Sequence, residues 1–373
     1  MNERKLSAWL AAGVIDGDSA ARIRTYEAQH ARPLALWAVV GIGALAIALG
    51  LISVVAANWD AIPAMVRLAV HLALLVAAAA ALWLQRERGG WGEEVLLFVF
   101  GALGLTFMGH LGQAYQTTSP LWQPLAMWLV LFAPLFVLRG QTWLTALGLA
   151  GALVVAVWNF AFHYEMRDGS FVIFALPTAL PLALAPLGAA LRVRSARATF
   201  WRRIEELGFA YALLGASGIA VLAGTENLAQ GGDAGKMLHT LLVWAAAGFA
   251  ATAAIWSTRK DHSGQAATGM LAAASVVALI AWPLSGSPVI GALLFMALWA
   301  VVAACALRGG WRGVFQLAVA VLALRLIVLS FELDNDLLSS GAGLIASGVL
   351  ILGIAWVAVR VARRYAPPKE VTP

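Results

Sequence analysis

The sequence predicts an all-α integral membrane protein of about twelve transmembrane helices, and three observations carry that prediction. Of its 373 residues, 62% are hydrophobic and only 12% are charged, whereas soluble domains carry about a quarter of charged residues. Apolar runs of about twenty residues, the length that crosses roughly 30 Å of hydrocarbon, recur down most of the chain and read as helices rather than barrel strands. The basic residues then fall on alternate sides of those runs.

In chain order, residues 1–33 form a polar helical arm, too polar for a cleavable signal peptide, so the first span is a retained anchor. A first short helix, about 3–12, ends at Gly13. A second, capped by Asp16 or Asp18, runs to about His30. Leu6, Trp9, Leu10, Val14, Ile15 and Ile23 supply one small apolar surface, suited to packing on the membrane face or on a partner. A first membrane half, 34–191, holds spans at 34–57, 64–84, 94–112, 121–138, 142–161 and 170–191. A basic linker covers 192–206. A second half, 207–360, holds spans at 207–223, 237–256, 267–284, 288–307, 313–331 and 338–360, and 361–373 form a tail.

With the N-terminus in the cytoplasm, 25 Lys and Arg residues distribute so that all but Arg67, Arg167, Lys236 and Arg325 lie on the cytoplasmic side. This is the positive-inside pattern at every loop, and it places both termini in the cytoplasm. Trp37, Trp59, Trp83, Trp122, Trp143 and Trp256 fall near span ends, as an aromatic belt does. The net charge of +6 thus reports orientation, and no nucleic-acid partner is expected. One cysteine, Cys305, excludes an intramolecular disulfide and a cysteine metal cluster.

The two halves echo each other. "LRGQTW" at 138–143 is answered by "LRGGW" at 307–311, and "LRVRSAR" at 191–197 by "VRVARR" at 359–364. "FHYEMRD" at 162–168 is answered by "FELDND" at 331–336, and His71 by His239. A near-constant offset of half the chain, each landmark on the matching side, predicts two parallel six-helix repeats related by an axis along the membrane normal.

Polar residues in so apolar a chain face a cavity or each other. The stretch "VVAANWDAIPAMVRLAVH", 54–71, gathers Asn58, Trp59, Asp60, Arg67 and His71 at the outer face. Helix capping by Asn58 and Asp60, and an Asp60–Arg67 pair across the turn at Pro63, explain the stretch structurally. Arg67 and His71, four apart, share one helix face. "GHLGQAYQTTSPLW", 109–122, adds His110, Gln113, Tyr115 and Gln116, neutral groups suited to sugars or headgroups and equally to tying off a helix end. A third cluster joins Asn159, His163, Tyr164 and Glu165 with Glu332, Asp334 and Asp336. Arg325, two turns deeper than Glu332, is expected to point into the bundle, contact one of these acids and link the halves at their outer end. The candidate binding residues are therefore Asn58, Trp59, Asp60, Arg67, His71, His110, Gln113, Tyr115, Gln116, Glu165, Arg325 and Glu332.

No HExxH, GxSxG, phosphate-binding loop or paired haem histidine occurs, and the six histidines are scattered. No catalytic residue, metal or cofactor is expected. The runs "GLISVVAANWDAIP" (50–63) and "GQAYQTTSPLW" (112–122), with the opening segment "GVIDGDSAARIRTYE" (13–27), resemble an uncharacterised bacterial membrane family, domain of unknown function 2157. The resemblance covers the N-terminal third by motif and the rest by hydropathy. It implies a multi-pass protein of the bacterial inner membrane without established activity, and a second membrane protein or a further copy of the chain as partner beside the lipid bilayer.

Three functions remain open. The first is a transporter or flippase for a small polar or amphiphilic envelope solute. The second is a scaffold or sensor subunit using the cytoplasmic arm, and the third an outward-facing transferase on a lipid-linked substrate with Asp60, Glu165 or Glu332 as base. The last is disfavoured by short outward loops, which cannot enclose a substrate. The topology makes one direct prediction. Reporter fusions or cysteine labelling at Asp60, Thr118, Glu165, Gln230 and Asp334 should all report the periplasm, and two or more reporting the cytoplasm would overturn it.

Overall fold

The computed structural model describes residues 9–30, 61–86, 90–168, 171–225, 234–333 and 341–365, together with Leu6, Ile42, Gly43, Ala46, Ser53 and Ala57. Among the described residues the regular elements are all helical. They are α1 (Gly17–His30), α2 (Ala64–Gln85), α3 (Trp91–Ala114), α4 (Trp122–Arg139), α5 (Trp143–Asp168), α6 (Phe171–Ala179), α7 (Leu184–Arg194), α8 (Ala198–Ala223), α9 (Ala234–Thr258), α10 (His262–Ile280), α11 (Pro288–Arg308), α12 (Arg312–Leu333) and α13 (Gly341–Tyr365).

Ten segments among the described residues are long and apolar enough to cross a membrane. They follow ten of the twelve predicted spans, and α13 overlies an eleventh. Of the predicted span 34–57 only Ile42, Gly43, Ala46, Ser53 and Ala57 are described, each helical. The largest boundary difference is at α8, which starts at Ala198 instead of 207. The basic stretch stays helical because Phe200, Trp201, Ile204 and Glu205 share a buried face, while Arg202 and Glu206 remain exposed.

By contact the chain groups into Met1–Arg67 and Leu68–Pro373. In the first unit, the helical turn at Trp9–Ala11 closes at Gly13, whose φ of 66° is open to glycine at no steric cost. The Asp16 carboxylate accepts the Ser19 amide proton at 2.7 Å and so caps α1. Its hydrogen bonds from Ser19 hold that carboxyl below the usual carboxylate range. Leu6 is buried, whereas Trp9, Leu10 and Val14 of the predicted apolar surface are exposed.

In the second unit, consecutive helices from α3 to α6 and from α9 to α13 pack as antiparallel neighbours, and α8 packs against α5, α7, α10 and α11. Its buried stripe is small: Ala212, Ala216, Ala220 and Ala223 meet Ala266, Ala274 and Ala278 of α10. Without a hydrophobic drive between helices in lipid, close approach of small residues is what holds them together. Among the described glycines, the tightest approach to a neighbouring backbone is between α7 and α8. A Cβ on Gly208 would lie 2.3 Å from the Ala185 backbone nitrogen, and one on Gly188 would lie 2.5 Å from that of Glu205.

The sixth predicted span is one crossing built from two helices. Pro177, Pro181 and Pro186 punctuate it, and the chain passes through a 3-10 turn at Leu180–Ala183. Proline lacks an N–H and its ring displaces the carbonyl one turn earlier, so the α ladder cannot continue. The Thr178 carbonyl at this break accepts the Tyr211 hydroxyl proton, and Tyr211 in turn accepts the Trp158 indole proton at 3.0 Å. A carbonyl that hydrocarbon would leave unsatisfied is thereby served from α8.

The α7–α8 contact has a measurable consequence. Gly208→Leu places side-chain atoms where the α7 backbone lies, so it should lower the thermal midpoint in detergent strongly. Overpacking usually costs about 1–3 kcal/mol, and here neither backbone has room to yield. Gly218→Ala, on the same helix with no heavy atom within 4 Å of the new Cβ, should leave the midpoint nearly unchanged.

Candidate functional site

Most described basic residues collect at one end of the second unit, where α2, α4, α7, α9 and α11 end and α3, α5, α8, α10 and α12 begin. We call this the basic end. Two carboxylate clusters organise it.

In the first, Glu93 and Glu94 open α3, and both are buried. Glu93 takes the Arg139 guanidinium at 3.0 Å. Glu94 accepts the Thr142 amide at 3.1 Å, the Thr142 hydroxyl at 2.7 Å and the Thr145 hydroxyl at 2.8 Å, as well as the Gln141 amide. It thus caps α5 from another helix, an anion at the positive end of a helix dipole. Arg197, just before α8, donates to the carbonyls of Gly140 and Val137. Burial pushes the Arg197 guanidinium below its ordinary value, and the charge of Glu94 opposes that.

In the second, Glu205 lies on α8 about 10 Å from its start and is 2% exposed. Its two oxygens meet Arg192 from the last turn of α7, at 3.2 Å, and Arg259 after the end of α9. Arg259 also reaches Asp261, at 3.3 Å, and Ser263. Hydrogen bonds from Ser263, reinforced by Arg259, hold the Asp261 carboxyl down to about 2, so Asp261 stays ionised at any physiological pH. Both arginines sit at helix C-termini and Asp261 at the N-terminus of α10, each the favoured charge for its position.

This network forms the mouth of a cavity of about 730 Å³, within the usual range of ligand sites. Arg192, Arg202, Glu205, Glu206, Arg259 and Ser263 supply its polar rim. Phe209, Leu213, Met270, Trp299, Trp311 and Leu317 supply apolar walls reaching inward between α8, α10, α11 and α12. The Trp299 indole N–H donates to Ser217 at 3.0 Å, and Ser217 donates to the Leu213 carbonyl. That fixes the ring and leaves its apolar faces to the cavity. The arrangement is amphiphilic along the helix axes, charged at the membrane boundary and greasy within.

Sequence reasoning favoured the opposite end and missed this cavity. The spacing Glu205, Phe209, Leu213, one helix face at period four, was the available signal. Of the sequence candidates, Asn58, Trp59 and Asp60 lie outside the described residues, as do Asp334 and Asp336. Arg67 and His71 lie on α2, His110 and Gln113 on α3, Tyr115 and Gln116 just beyond it, and Glu165 on α5. His71 and His110, expected in separate clusters, are hydrogen-bonded neighbours at 2.8 Å. The side chains of Gln113, Tyr115 and Gln116 are exposed, and their backbone ends α3. Gln116 takes φ 49°, and the amides of Gln116 and Thr117 return to the carbonyls of Gln113 and Gly112 at 3.4 and 2.9 Å, a Schellman closure. Asn159 accepts the Trp122 amide at 2.8 Å, capping α4.

Arg325 is buried and does contact an expected acid. Its two terminal nitrogens take both oxygens of Glu332 at 2.8 and 3.0 Å, and its guanidinium lies 6.0 Å from the Phe295 ring on α11. The expected tie between halves is corrected here. Glu332 lies two turns along the same helix, so the bidentate pair closes within α12.

Residues 7–145 match the model of a family described as predicted membrane protein (DUF2157). The resemblance read from the opening segment and the two runs at 50–63 and 112–122 is borne out over that part of the chain. No curated protein and no solved structure matches the chain.

The buried network gives a graded prediction. Glu205→Gln leaves Arg192 without its carboxylate and Arg259 with Asp261 alone, and a broken buried pair costs about 3–5 kcal/mol. It should lower the thermal midpoint in detergent markedly. Arg202→Gln, which breaks only an exposed pair with Glu206 at 3.5 Å, should cost about 0–1 kcal/mol.

Proposed function

We propose that this multi-pass membrane protein of uncharacterised family binds an amphiphile of the cell envelope, in the manner of a transporter or flippase, with the basic end in the cytoplasm. The observation that carries the reading is the cavity among α8, α10, α11 and α12, with its charged rim and apolar interior. A polar or anionic head meets Arg192, Arg202 and Arg259, and the tail runs along Phe209, Leu213 and Trp299. Arg192 and Arg202 keep 34% and 53% of their side chains exposed beside Glu205 and Glu206, which leaves them available to a polar or anionic head. The positive-inside distribution supports the orientation, and the cavity lies within the second set of helices rather than between the two sets.

The half-chain duplication belongs to the same proposal. In its favour is the equivalent succession of neighbours, α3–α4–α5–α6 and α10–α11–α12–α13. A second reading, an assembly subunit that engages a partner through its arm, draws on the grouping of Met1–Arg67 as its own compact unit.

The test uses the full chain in lipid nanodiscs with dodecyl phosphate as probe. Dodecyl phosphate should raise the unfolding midpoint and quench tryptophan fluorescence when its tail is brominated, whereas inorganic phosphate alone should do neither. Leu213→Trp, which fills the cavity, should abolish both effects while retaining the fold. Equal responses in Leu213→Trp and the natural sequence would overturn the reading. Deletion of residues 1–33 should leave the response intact, which separates it from the assembly reading.

A further inference from the structure

His71 and His110 are separated by 39 positions and meet within the apolar helices α2 and α3. Their rings stand edge to face, 88° apart with centroids at 4.7 Å, and their Nδ1 atoms are 2.8 Å apart. Two lone pairs do not hold each other at that distance, and neither do two N–H groups. One proton lies between them.

The other face of His71 fixes which ring owns it. His71 Nε2 lies 2.9 Å from the Leu103 carbonyl oxygen, which only accepts. The Thr106 hydroxyl, 3.3 Å away, donates to the Ala102 and Leu103 carbonyls and so offers Nε2 a lone pair. His71 Nε2 therefore carries a proton. In the uncharged pair His71 is the Nε2–H tautomer, and its Nδ1 accepts from His110 Nδ1–H.

Proton counting follows. Two protons make the uncharged pair, and a third leaves the central hydrogen bond in place with one charge shared by two rings. A fourth sets N–H against N–H at 2.8 Å, and the rings must part. His71 is 7% exposed and Phe107 stands edge-on against it at 5.4 Å, so water does not screen that repulsion. A titratable pair so placed in a membrane is costly to keep unless it is used.

Charged and titratable groups around the pair, among the described residues, are few. On α2 Arg67 lies one turn before His71. Tyr115 follows α3, and His163, Tyr164, Glu165, Arg167 and Asp168 lie at this end of α5, which packs against α3. On α4 the ionisable residue is Arg139, which with Glu93 and Glu94 belongs to the far end, about 24 Å along the helix.

We propose that His71–His110 is a proton-binding site within the membrane that accepts one proton while α2 and α3 stay tied, and that a second proton separates them. The inference is independent of the amphiphile cavity. The test is nitrogen-15 histidine NMR of the full chain in nanodiscs, from about pH 8.5 to about pH 4.5, across the ordinary imidazole range. His71→Gln and His110→Gln serve to assign the signals.

The expected spectra show the two tautomers named above at high pH, then one shared protonation step that moves both rings together. A second step follows at lower pH, with loss of the Nδ1–Nδ1 coupling. In His110→Gln the remaining ring should titrate in a single step. Two independent one-proton titrations, each unchanged by replacing the other histidine, would overturn the proposal, as would a high-pH His71 lacking its Nε2 proton. If His71→Gln fails to fold, the natural spectra and His110→Gln decide.

Discussion

Hydrocarbon offers no hydrogen bonds, so a backbone group that a helix end or a break releases within it must find a partner in the protein itself, often on another helix. Much of this architecture follows from that constraint. Glu94 reaches from α3 to cap α5, Asn159 from α5 to cap α4, and Tyr211 from α8 to the carbonyl freed at the proline break. The Trp128 indole donates to the Gly101 carbonyl at 2.7 Å, across a contact where Phe136 and Phe132 fill the space over Gly101 and Gly104. These polar contacts position the helices, and small residues then let them close.

The two ends of the second unit solve the charge problem differently. At the basic end, arginines from several helices converge on carboxylates, so ion pairs cross between elements and brace a cavity. At the opposite end, the ion pair of Arg325 with Glu332 closes along one helix, and the guanidinium meets α11 only through the Phe295 ring among the described residues. The same ion-pair chemistry therefore links helices at one end and only shields a charge at the other.

The spans were legible because a hydrocarbon slab imposes length and composition on each crossing independently. Asn159, His71 and His110 were visible as polar exceptions, but their partners were not, whereas Glu332 was among the acids expected for Arg325. A polar side chain announces that it needs a partner without saying which helix supplies it, and His71 finding His110 depends on how two helices rotate. Glu205 was harder still. It sits in a stretch whose charge density reads as a solvated linker, and only the burial of Phe200, Trp201 and Ile204 on the same face turns that stretch into the floor of a membrane helix. The 3-10 turn followed from Pro177 and Pro181, a signal masked by the otherwise unbroken apolar run.

Arg197 has a bearing on the order in which the protein is made. The carbonyls of Val137 and Gly140, at the end of α4, are served by a guanidinium that lies 57 residues beyond Gly140. While the ribosome is still synthesising α5, α6 and α7, that turn has to borrow its partners from lipid headgroups or water. The first set of helices therefore matures in two stages, insertion and then locking, and the second awaits the emergence of the segment that begins α8. A nascent chain stalled before that segment would hold an inserted but unlatched bundle.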